Sequence, residues 1–316
     1  MKFAPEAILF DIDGVLVDVR RSYIDSIRKS VQLYLEMILL VRASSKDLLT
    51  REDVNRFKLL GGFNNDWDAV YGLLIYFQSL IERRGGFETR PYTRQTTIED
   101  LRRLKNIQKL AKKLPIPCGI KNIRTLVKES QISYELAKDM FQETYLGEKL
   151  FKQLYGRKPL FNRSRGLILL EKLFISKKTL SAIKKAGLKL GIVTGRIRFE
   201  ASYVLKRFAI ERLFKAVVTH DDVAREEKRT GKFLRKPHPF SVLLAAKKMR
   251  AKSFLYVGDL PDDVRAANQA KKKIKIASAA FLHGASDQKK MLLEIKKAKP
   301  DFILNHPEDL RKFARG

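Results

Sequence analysis

Four short apolar runs stand out in this sequence, because each is followed at once by polar residues or glycine. Buried parallel strands have this pattern, since a strand that is covered on both faces is apolar along its whole length. Two weaker runs of the same kind follow toward the carboxyl end. The six predicted strands are Ala7–Phe10, Leu188–Val193, Ala216–Thr219, Phe254–Val257, Ile274–Ala277 and Phe302–Leu304.

Helical segments alternate with these strands. Ser176 can cap a helix that ends near Gly187, and a second helix is predicted at Pro239–Lys248. Strands that alternate with helices are typical of an α/β fold with a Rossmann-like, doubly wound parallel sheet. Ligands of such sheets bind beyond the carboxyl ends of the strands. The residues that follow the apolar runs are therefore the candidates for function.

A long stretch without a comparable strand separates the first run from the second. Parallel strands are usually joined by a connection of about a dozen residues or somewhat more, so this one must contain an inserted domain. An amphipathic run at Ser22–Val41 and capping-box patterns at Thr50–Asp53 and Thr97–Asp100 predict helices within it. The predicted domains are an α/β core formed by 1–17 and 171–316, and an all-helical cap over the strand ends formed by 18–170.

Positive charge is concentrated in one part of the chain. Residues 1–100 carry 14 basic and 15 acidic side chains, whereas residues 101–316 carry 51 and 20. Such a field attracts phosphorylated metabolites, nucleic acid or anionic lipid, although a basic compositional bias without a partner explains it equally well. Runs such as Lys271–Lys273 lack the interleaved aromatic residues of single-strand binders. Nucleic acid is therefore a less favoured partner than a small phosphorylated metabolite.

The sequence also predicts where the protein works. Its single cysteine, Cys118, cannot form an internal disulfide and fits a reducing compartment. The longest apolar stretch, around Ala69–Phe77, is far shorter than the 18 or so residues of a membrane span. Asp11 and Asp13 stand where a secretion signal would need an apolar core. We therefore expect a soluble cytoplasmic protein with no membrane partner.

The first apolar run ends in two carboxylates, Asp11 and Asp13, followed by Gly14. Two carboxylates at this spacing can divide the work of a nucleophile and a proton shuttle, and they can also hold a metal ion. A Ca²⁺ loop of the EF-hand type would need further acidic ligands, and apolar residues occupy those places. The pair therefore points to catalysis at the end of the strand.

Three further motifs follow later strands. Thr194, Gly195 and Arg196 can form an anion-holding turn from a hydroxyl and free backbone N–H groups. Lys236, beside the prolines of Lys236–Pro239, can present a fixed positive charge to a phosphoryl group. Gly258–Asp263 places carboxylates together in a basic part of the chain, where a bound metal would explain them. Each motif is ordinary when taken alone, since a capping Thr or a surface Lys is common.

Together and in this order, the four motifs resemble those of the haloacid dehalogenase superfamily of phosphohydrolases. The superfamily pattern is DxDx[TV], a Ser or Thr, a Lys, and GDxxxD. The resemblance covers Met1–Leu16 and Lys172–Pro307. The insertion between the first and second motifs is similar to that of the helical-cap subfamily, which includes phosphoglycolate phosphatases and phosphosugar mutases. It is longer than the usual cap, which leaves the substrate open.

The resemblance implies a Mg²⁺-dependent phosphatase that works through an aspartyl-phosphate. Asp11 would be the nucleophile and Asp13 the general acid and base. The residues implied to bind the phosphoryl group are Thr194, Gly195 and Lys236. The implied metal ligands are Asp11, the backbone carbonyl of Asp13, and Asp259, with Asp263 orienting a metal-bound water or Lys236.

Substrate contacts are predicted from two places. The polar turn of Asn64, Asn65 and Asp66, next to Trp67, is the cap segment expected nearest to the substrate. Arg196 is a further candidate for substrate contact, and its alternative is a surface ion pair. Two other functions stay open at this point. One is a phosphosugar mutase with the same two aspartates, and the other is a nucleic-acid-associated protein that uses the basic surface.

Overall fold

The computed structural model describes residues 3–38, 49–58, 66–82, 132–285 and 288–314. The chain divides into two compact units. One consists of Met1–Asp18 with Lys172–Gly316 and contains the sheet. The other is Val19–Glu171, whose described residues form helices and no strand.

Six described strands form the sheet of this unit, and all run parallel. They are β1 (Ala7–Phe10), β4 (Lys189–Val193), β5 (Phe214–Val218), β6 (Ser253–Gly258), β7 (Lys275–Phe281) and β8 (Phe302–Leu304). Their order across the sheet is β5-β4-β1-β6-β7-β8. All six predicted strands are confirmed, although only β1 and β8 have the predicted bounds. β5 begins before the predicted start because it is an edge strand with the exposed Lys215, and β7 continues through small residues such as Ser278.

A short antiparallel ribbon was not predicted from the sequence. It pairs β2 (Val17–Asp18) with β3 (Lys172–Leu173). Two-residue strands are too short to show any periodicity, so no sequence pattern marks them. The ribbon brings together the two chain segments at which the core unit is interrupted.

The register of the central strands sets the position of the functional residues. Phe10 at the end of β1 lies opposite Ile192 of β4 and Val257 of β6. All four residues of β1 are fully buried. Because β1 lies between β4 and β6, the residues that follow these three strands emerge together at one edge of the sheet.

Helices cover the sheet. Ser176 caps the first of them, since its hydroxyl accepts a hydrogen bond from the Thr179 backbone N–H at 3.0 Å, as predicted. Val242 and Met249 of another helix belong to the same buried apolar cluster as Leu9 and Val218 of the sheet. The described α-helices of the core unit are Lys177–Lys185, Arg198–Arg207, His220–Thr230, Phe240–Met249, Pro261–Ala270 and Gln288–Lys297, with segments of 3-10 helix at Glu211–Leu213 and Pro307–Phe313.

The second unit is helical where it is described. The predicted capping box is present, with the backbone N–H of Thr50 donating to Asp53 and that of Asp53 donating to the Thr50 hydroxyl. The helix predicted after Thr97 lies outside the described residues. Among the described helices, none combines the length and the apolarity that a membrane span requires. The helices are Tyr23–Met37, Arg51–Lys58, Asp66–Glu82, Tyr134–Tyr155 and a 3-10 turn at Leu167–Leu170.

Candidate active site

The loop after β1 presents two aspartates from a tightly closed turn. The backbone N–H of Asp11 donates to the Val257 carbonyl at 2.9 Å, which continues the sheet by one residue. The N–H groups of Leu16 and Val17 both donate to the carbonyl of Ile12 at 2.9 Å. Ile12 is fully buried, so the residue between the two carboxylates anchors the loop in the core.

Gly14 allows Asp259 to approach this loop. Its φ is +72°, in the left-handed region that favours glycine. A Cβ at this position would lie 2.0 Å from Oδ2 of Asp259, which no side chain could tolerate. The loop after β1 and the carboxylate after β6 can therefore meet only because residue 14 is glycine.

Lys236 is the centre of a hydrogen-bonded cluster that we call the Lys236 cluster, formed with Asp11, Tyr256 and Asp263. Its Nζ donates to Oδ2 of Asp11 at 2.9 Å, to Oδ1 of Asp263 at 2.6 Å and to the Tyr256 hydroxyl at 3.0 Å. The Tyr256 hydroxyl donates in turn to Oδ1 of Asp263 at 2.9 Å. The three donors of the ammonium group are thus all used.

Asp263 reaches the cluster from the first turn of the helix Pro261–Ala270. Its other oxygen, Oδ2, accepts from the Leu260 backbone N–H at 3.1 Å and caps that helix. A Cβ on Gly258 would lie only 2.2 Å from the Cβ of Asp263, so the strand end must be glycine for this helix to pack so closely. Both oxygens of Asp263 are engaged by the protein, and the residue lies against Lys236.

Negative charge at this edge exceeds what Lys236 offsets. Carboxylate oxygens of Asp11, Asp259 and Asp263 lie within 4.8 Å of one another. Burial, together with the nearby charges of Asp263 and Asp13, raises the pKa of Asp11 to about 7. Burial, reinforced by Asp263 and Asp11, also raises the pKa of Asp259 well above its usual value. Such an all-oxygen cluster suits a hard divalent cation, which would stabilise the ionised carboxylates.

The charge of Lys236 is secured by its partners. Burial by itself would lower the pKa of the ammonium group. The carboxylates of Asp11 and Asp263 outweigh burial, and they hold the pKa of Lys236 well above its usual value. The cluster therefore keeps a fixed positive charge beside Asp11 at every pH at which the protein would work.

The turn after β4 carries Thr194, Gly195 and Arg196. The Thr194 hydroxyl accepts from the Arg196 backbone N–H at 3.2 Å, so its own proton is left to donate to another acceptor. Gly195 is exposed, and nothing lies within 4 Å of where its Cβ would be. The turn thus combines one buried hydroxyl with an open stretch of backbone, which is suited to holding an anion.

Arg196 forms an ion pair with Asp13. Its Nε and Nη2 donate to the same oxygen, Oδ1 of Asp13, at 2.8 and 2.6 Å. The guanidinium side chain has 0% exposed surface and that of Asp13 has 29%. The sequence left a substrate contact or a surface ion pair as the two alternatives for Arg196. The ion pair exists, but its guanidinium is buried, and the partner of Arg196 is the candidate acid and base.

Sequence reasoning missed Tyr256. The only signal was a tyrosine hydroxyl within the apolar run Phe254–Val257, two residues before Gly258. The predicted cap residues belong to the helical unit. Asn64 and Asn65 lie outside the described residues, and Asp66 begins the helix Asp66–Glu82 of the helical unit.

A family model of haloacid dehalogenase-like hydrolases matches residues 5–271 of the chain. The protein belongs to this family. The match includes all four motifs, and it confirms the resemblance that they suggested.

Curated relatives of this haloacid dehalogenase-like hydrolase include a pyrophosphatase and phosphoglycolate phosphatases. The pyrophosphatase PpaX of Bacillus pumilus is 31% identical over 159 residues, which are 48% of this chain and 62% of the relative. The phosphoglycolate phosphatase of Escherichia coli is 33% identical over 116 residues, which are 35% of this chain and 42% of the relative. The chain thus spans less than two thirds of the length of either relative.

Solved structures share the fold over nearly the whole chain. The phosphatase Tt82 from Thermococcus thioreducens has a TM-score of 0.61 and 21% identity, covering 92% of this chain and 98% of its own. A predicted phosphoglycolate phosphatase from Haemophilus somnus has a TM-score of 0.54 and 17% identity, with both chains covered completely. At these identities the similarity establishes the α/β fold.

Proposed function

We propose that this protein is a Mg²⁺-dependent phosphatase that hydrolyses a small phosphomonoester through an aspartyl-phosphate. The observation that carries the proposal is the buried contact between Asp11 and Lys236, at 2.9 Å, beside a second and a third carboxylate. A carboxylate nucleophile needs a fixed cation that draws the phosphoryl group toward it and offsets charge in the transition state. The family and the names of its relatives support the same chemistry.

Asp11 is the proposed nucleophile. It follows β1, one of the two central strands of the sheet, and its backbone N–H donates to the Val257 carbonyl. A carboxylate oxygen of Asp11 attacks phosphorus while the bond from phosphorus to the leaving oxygen breaks. Water then attacks the aspartyl-phosphate, inorganic phosphate departs, and the carboxylate is regenerated. Fixing of the nucleophile by the sheet lowers the entropic cost of the first step.

Asp13 is the proposed general acid and base. It is part of the same closed loop as Asp11, and its carboxyl group is partly exposed. In the first step it gives a proton to the leaving oxygen, and in the second it takes a proton from the attacking water. The two steps restore its starting protonation state.

Thr194, Gly195 and Lys236 are the proposed phosphoryl-binding groups. The Thr194 hydroxyl has a proton to donate, the Gly195 backbone is open, and Lys236 is held beside Asp11. These groups recognise what every phosphomonoester has in common. They would stabilise the charge on the phosphoryl oxygens as the bond to the leaving group breaks.

Asp11, Asp259 and the backbone carbonyl of Asp13 are the proposed ligands of Mg²⁺. When bound, the ion would neutralise charge on the phosphoryl group and on the carboxylates. The fit is supported by the carboxylate oxygens of Asp11, Asp259 and Asp263, which lie within 4.8 Å of one another, and by burial, which raises the pKa of Asp11 and of Asp259. Asp263 would act through Lys236, to which it is bound.

Leaving-group recognition is proposed for the helical unit. The phosphoryl-binding groups come from the core, so discrimination between esters must come from elsewhere. We propose that the insertion, with its Asn64, Asn65 and Asp66 segment, acts as a cap that selects the leaving group and excludes water. The substrate would be a small phosphorylated metabolite of the cytoplasm, a class to which the name phosphoglycolate phosphatase of one relative also points.

Phosphate release from a panel of phosphomonoesters, with and without Mg²⁺, tests this function. We expect Mg²⁺-dependent release that EDTA abolishes, and a loss of at least about 10³-fold in kcat for Asp11→Asn, since its amide cannot form the aspartyl-phosphate. Asp262→Asn is the matched control, because Asp262 lies on the helix of Asp263 and pairs with Arg265. Full activity in Asp11→Asn, or formation of an isomeric ester instead of phosphate, would contradict the proposal.

A further inference from the structure

The contact between Arg196 and Asp13 has a geometry that the proposed reaction does not by itself require. Both donors of the guanidinium that reach Asp13 end on one oxygen, Oδ1, at 2.8 and 2.6 Å. A carboxylate oxygen has two lone pairs, and two N–H donors occupy both. Only the other oxygen, Oδ2, is then able to carry a proton.

We propose that Arg196 is a positioning residue, which holds Oδ1 of Asp13 so that Oδ2 is the oxygen that gives and takes the proton. The inference rests on the proposed function and deepens it. Arg196 itself would transfer no proton, since its guanidinium stays charged in proteins. Its part is to fix the rotamer of Asp13 and the identity of the reacting oxygen.

The backbone of Arg196 is held firmly enough for this role. Its N–H donates to the Thr194 hydroxyl at 3.2 Å, and its carbonyl accepts from the His220 N–H at 2.9 Å. The side chain is completely buried, whereas Asp13 keeps 29% of its side-chain surface exposed. The contact is therefore anchored on the arginine side and open on the aspartate side, where a substrate must reach the carboxyl group.

A buried arginine is unfavourable unless the structure satisfies its charge and its donors. The chain nevertheless buries one at the end of β4 and directs it to a residue 183 positions away. Arg198, two residues further, is the ordinary case, since 47% of its side-chain surface is exposed while it pairs with Asp222. The contrast between the two arginines indicates that the ion pair of Arg196 has a role at Asp13 that an exposed surface ion pair does not have.

The proton movements follow from this assignment. As Asp11 attacks phosphorus, the bond to the leaving oxygen breaks, and its electron pair takes the proton from Oδ2 of Asp13 to give the free alcohol. Water then attacks the aspartyl-phosphate and loses a proton to the same Oδ2, while the bond between Asp11 and phosphorus breaks. Arg196 holds Oδ1 through both steps.

Two esters that differ in leaving group test the proposal. A simple alkyl phosphate needs a proton on its leaving oxygen, whereas p-nitrophenyl phosphate leaves well without one. We expect Arg196→Gln to lower kcat/KM for the alkyl ester by about 10²-fold or more, the scale of general acid catalysis, and for the aryl ester at least about tenfold less. Arg196→Lys, which keeps the charge and a donor, should recover part of the difference.

A double-mutant cycle between Arg196 and Asp13 tests whether the effect of Arg196 passes through Asp13. In an Asp13→Asn background, Arg196→Gln should cause no further selective loss on the alkyl ester, because its target is already gone. Arg198→Gln is the matched control and should leave the ratio between the two esters unchanged. Melting temperatures show whether each variant folds. If Arg196→Gln does not fold, the same comparison of the two esters is made with Arg196→Lys in the wild-type and the Asp13→Asn backgrounds.

Failure of the positioning role and failure of the phosphatase function give different results. Equal losses on both esters, or a full effect of Arg196→Gln in the Asp13→Asn background, would overturn the positioning role and leave the phosphatase function intact, provided that activity still requires Asp11. A wild-type protein that hydrolyses neither ester in Mg²⁺ would overturn both the function and the inference.

Discussion

Tyr256 donates a hydrogen bond from its hydroxyl to Oδ1 of Asp263 at 2.9 Å, and both side chains are buried. The same oxygen accepts from Lys236. Burial, reinforced by the charge of Asp263, raises the pKa of Tyr256 well above its usual value, so the hydroxyl stays a donor. A residue of the strand interior thus helps to fix Lys236, the cation that donates to Asp11.

Removal of that hydroxyl should loosen Lys236 without removing it. Tyr256→Phe would lose the bonds of the hydroxyl to Lys236 and Asp263 and leave both otherwise in place. We expect the free energy of unfolding to fall by about 1–2 kcal/mol, the usual cost of such a loss in a buried site. We also expect kcat to fall several-fold, because the ammonium group is held less precisely.

Urea unfolding and steady-state kinetics check this prediction. Tyr203→Phe, a half-buried tyrosine on the helix Arg198–Arg207 outside the Lys236 cluster, is the matched control. Wild-type kinetics in Tyr256→Phe would mean that Asp11 and Asp263 alone suffice to position Lys236.

The six strands and the order of the motifs could be predicted from the sequence. A strand buried on both faces is an apolar run that local composition reveals, as in Ala7–Phe10. Parallel strands end at one edge, so the polar residues after β1, β4 and β6 had to lie along the same edge of the sheet. How close they lie depends on which strands are neighbours.

The pairing of individual side chains could not be predicted. Arg196 meets Asp13 only because β4 lies directly beside β1, and adjacency within a sheet is decided by packing of the whole unit. Tyr256 meets Lys236 because one face of β6 turns toward the segment before the helix Phe240–Met249. No local pattern records either relation.

Metal-free stability should depend on pH through Asp11. Its pKa is raised from 3.8 to about 7, so the folded protein binds this proton more tightly than the unfolded chain does. The proton on Asp11 therefore contributes its full stabilisation of the folded state below about pH 4, and this contribution is lost as the pH rises through 7. This change in the pKa of Asp11 corresponds to at most about 4 kcal/mol in the free energy of unfolding.

Asp11→Asn cannot titrate and should escape this loss. In EDTA, we expect its melting temperature to exceed that of the wild type by a few degrees at pH 8, with the difference shrinking toward pH 5. Asp222→Asn should instead have a lower melting temperature than the wild type at neutral pH. Although burial alone would raise the pKa of Asp222, hydrogen bonds from Thr219 and the charges of Arg198 and Lys248 outweigh it and lower the pKa. That carboxylate therefore stabilises the folded state at neutral pH.

Thermal melts from pH 5 to pH 8 test both signs. Parallel curves for wild type and Asp11→Asn would show that Asp11 is ionised at no cost in the metal-free protein, which contradicts the raised pKa.

Gly14 and Gly231 separate backbone strain from crowding at the active site. Both have a left-handed φ, +72° and +69°, so an alanine strains the backbone similarly at either position. Only at Gly14 would the added Cβ meet another group, Oδ2 of Asp259 at 2.0 Å, whereas nothing lies within 4 Å of it at Gly231. Gly14→Ala must therefore displace Asp259 or the loop that carries Asp13, since the Asp259 side chain is short and has little freedom to withdraw.

We expect Gly231→Ala to lower the free energy of unfolding by about 1 kcal/mol and to leave the kinetics unchanged. Gly14→Ala should lower stability by more, and it should also raise the Mg²⁺ concentration that gives half-maximal activity by about tenfold or more, because a proposed ligand is moved.

Mg²⁺ titrations of activity and of melting temperature on the two variants measure the difference. Equal responses to Mg²⁺ in Gly14→Ala and Gly231→Ala would show that Asp259 can move away from residue 14 without affecting the metal, and they would remove Asp259 from the proposed ligand set.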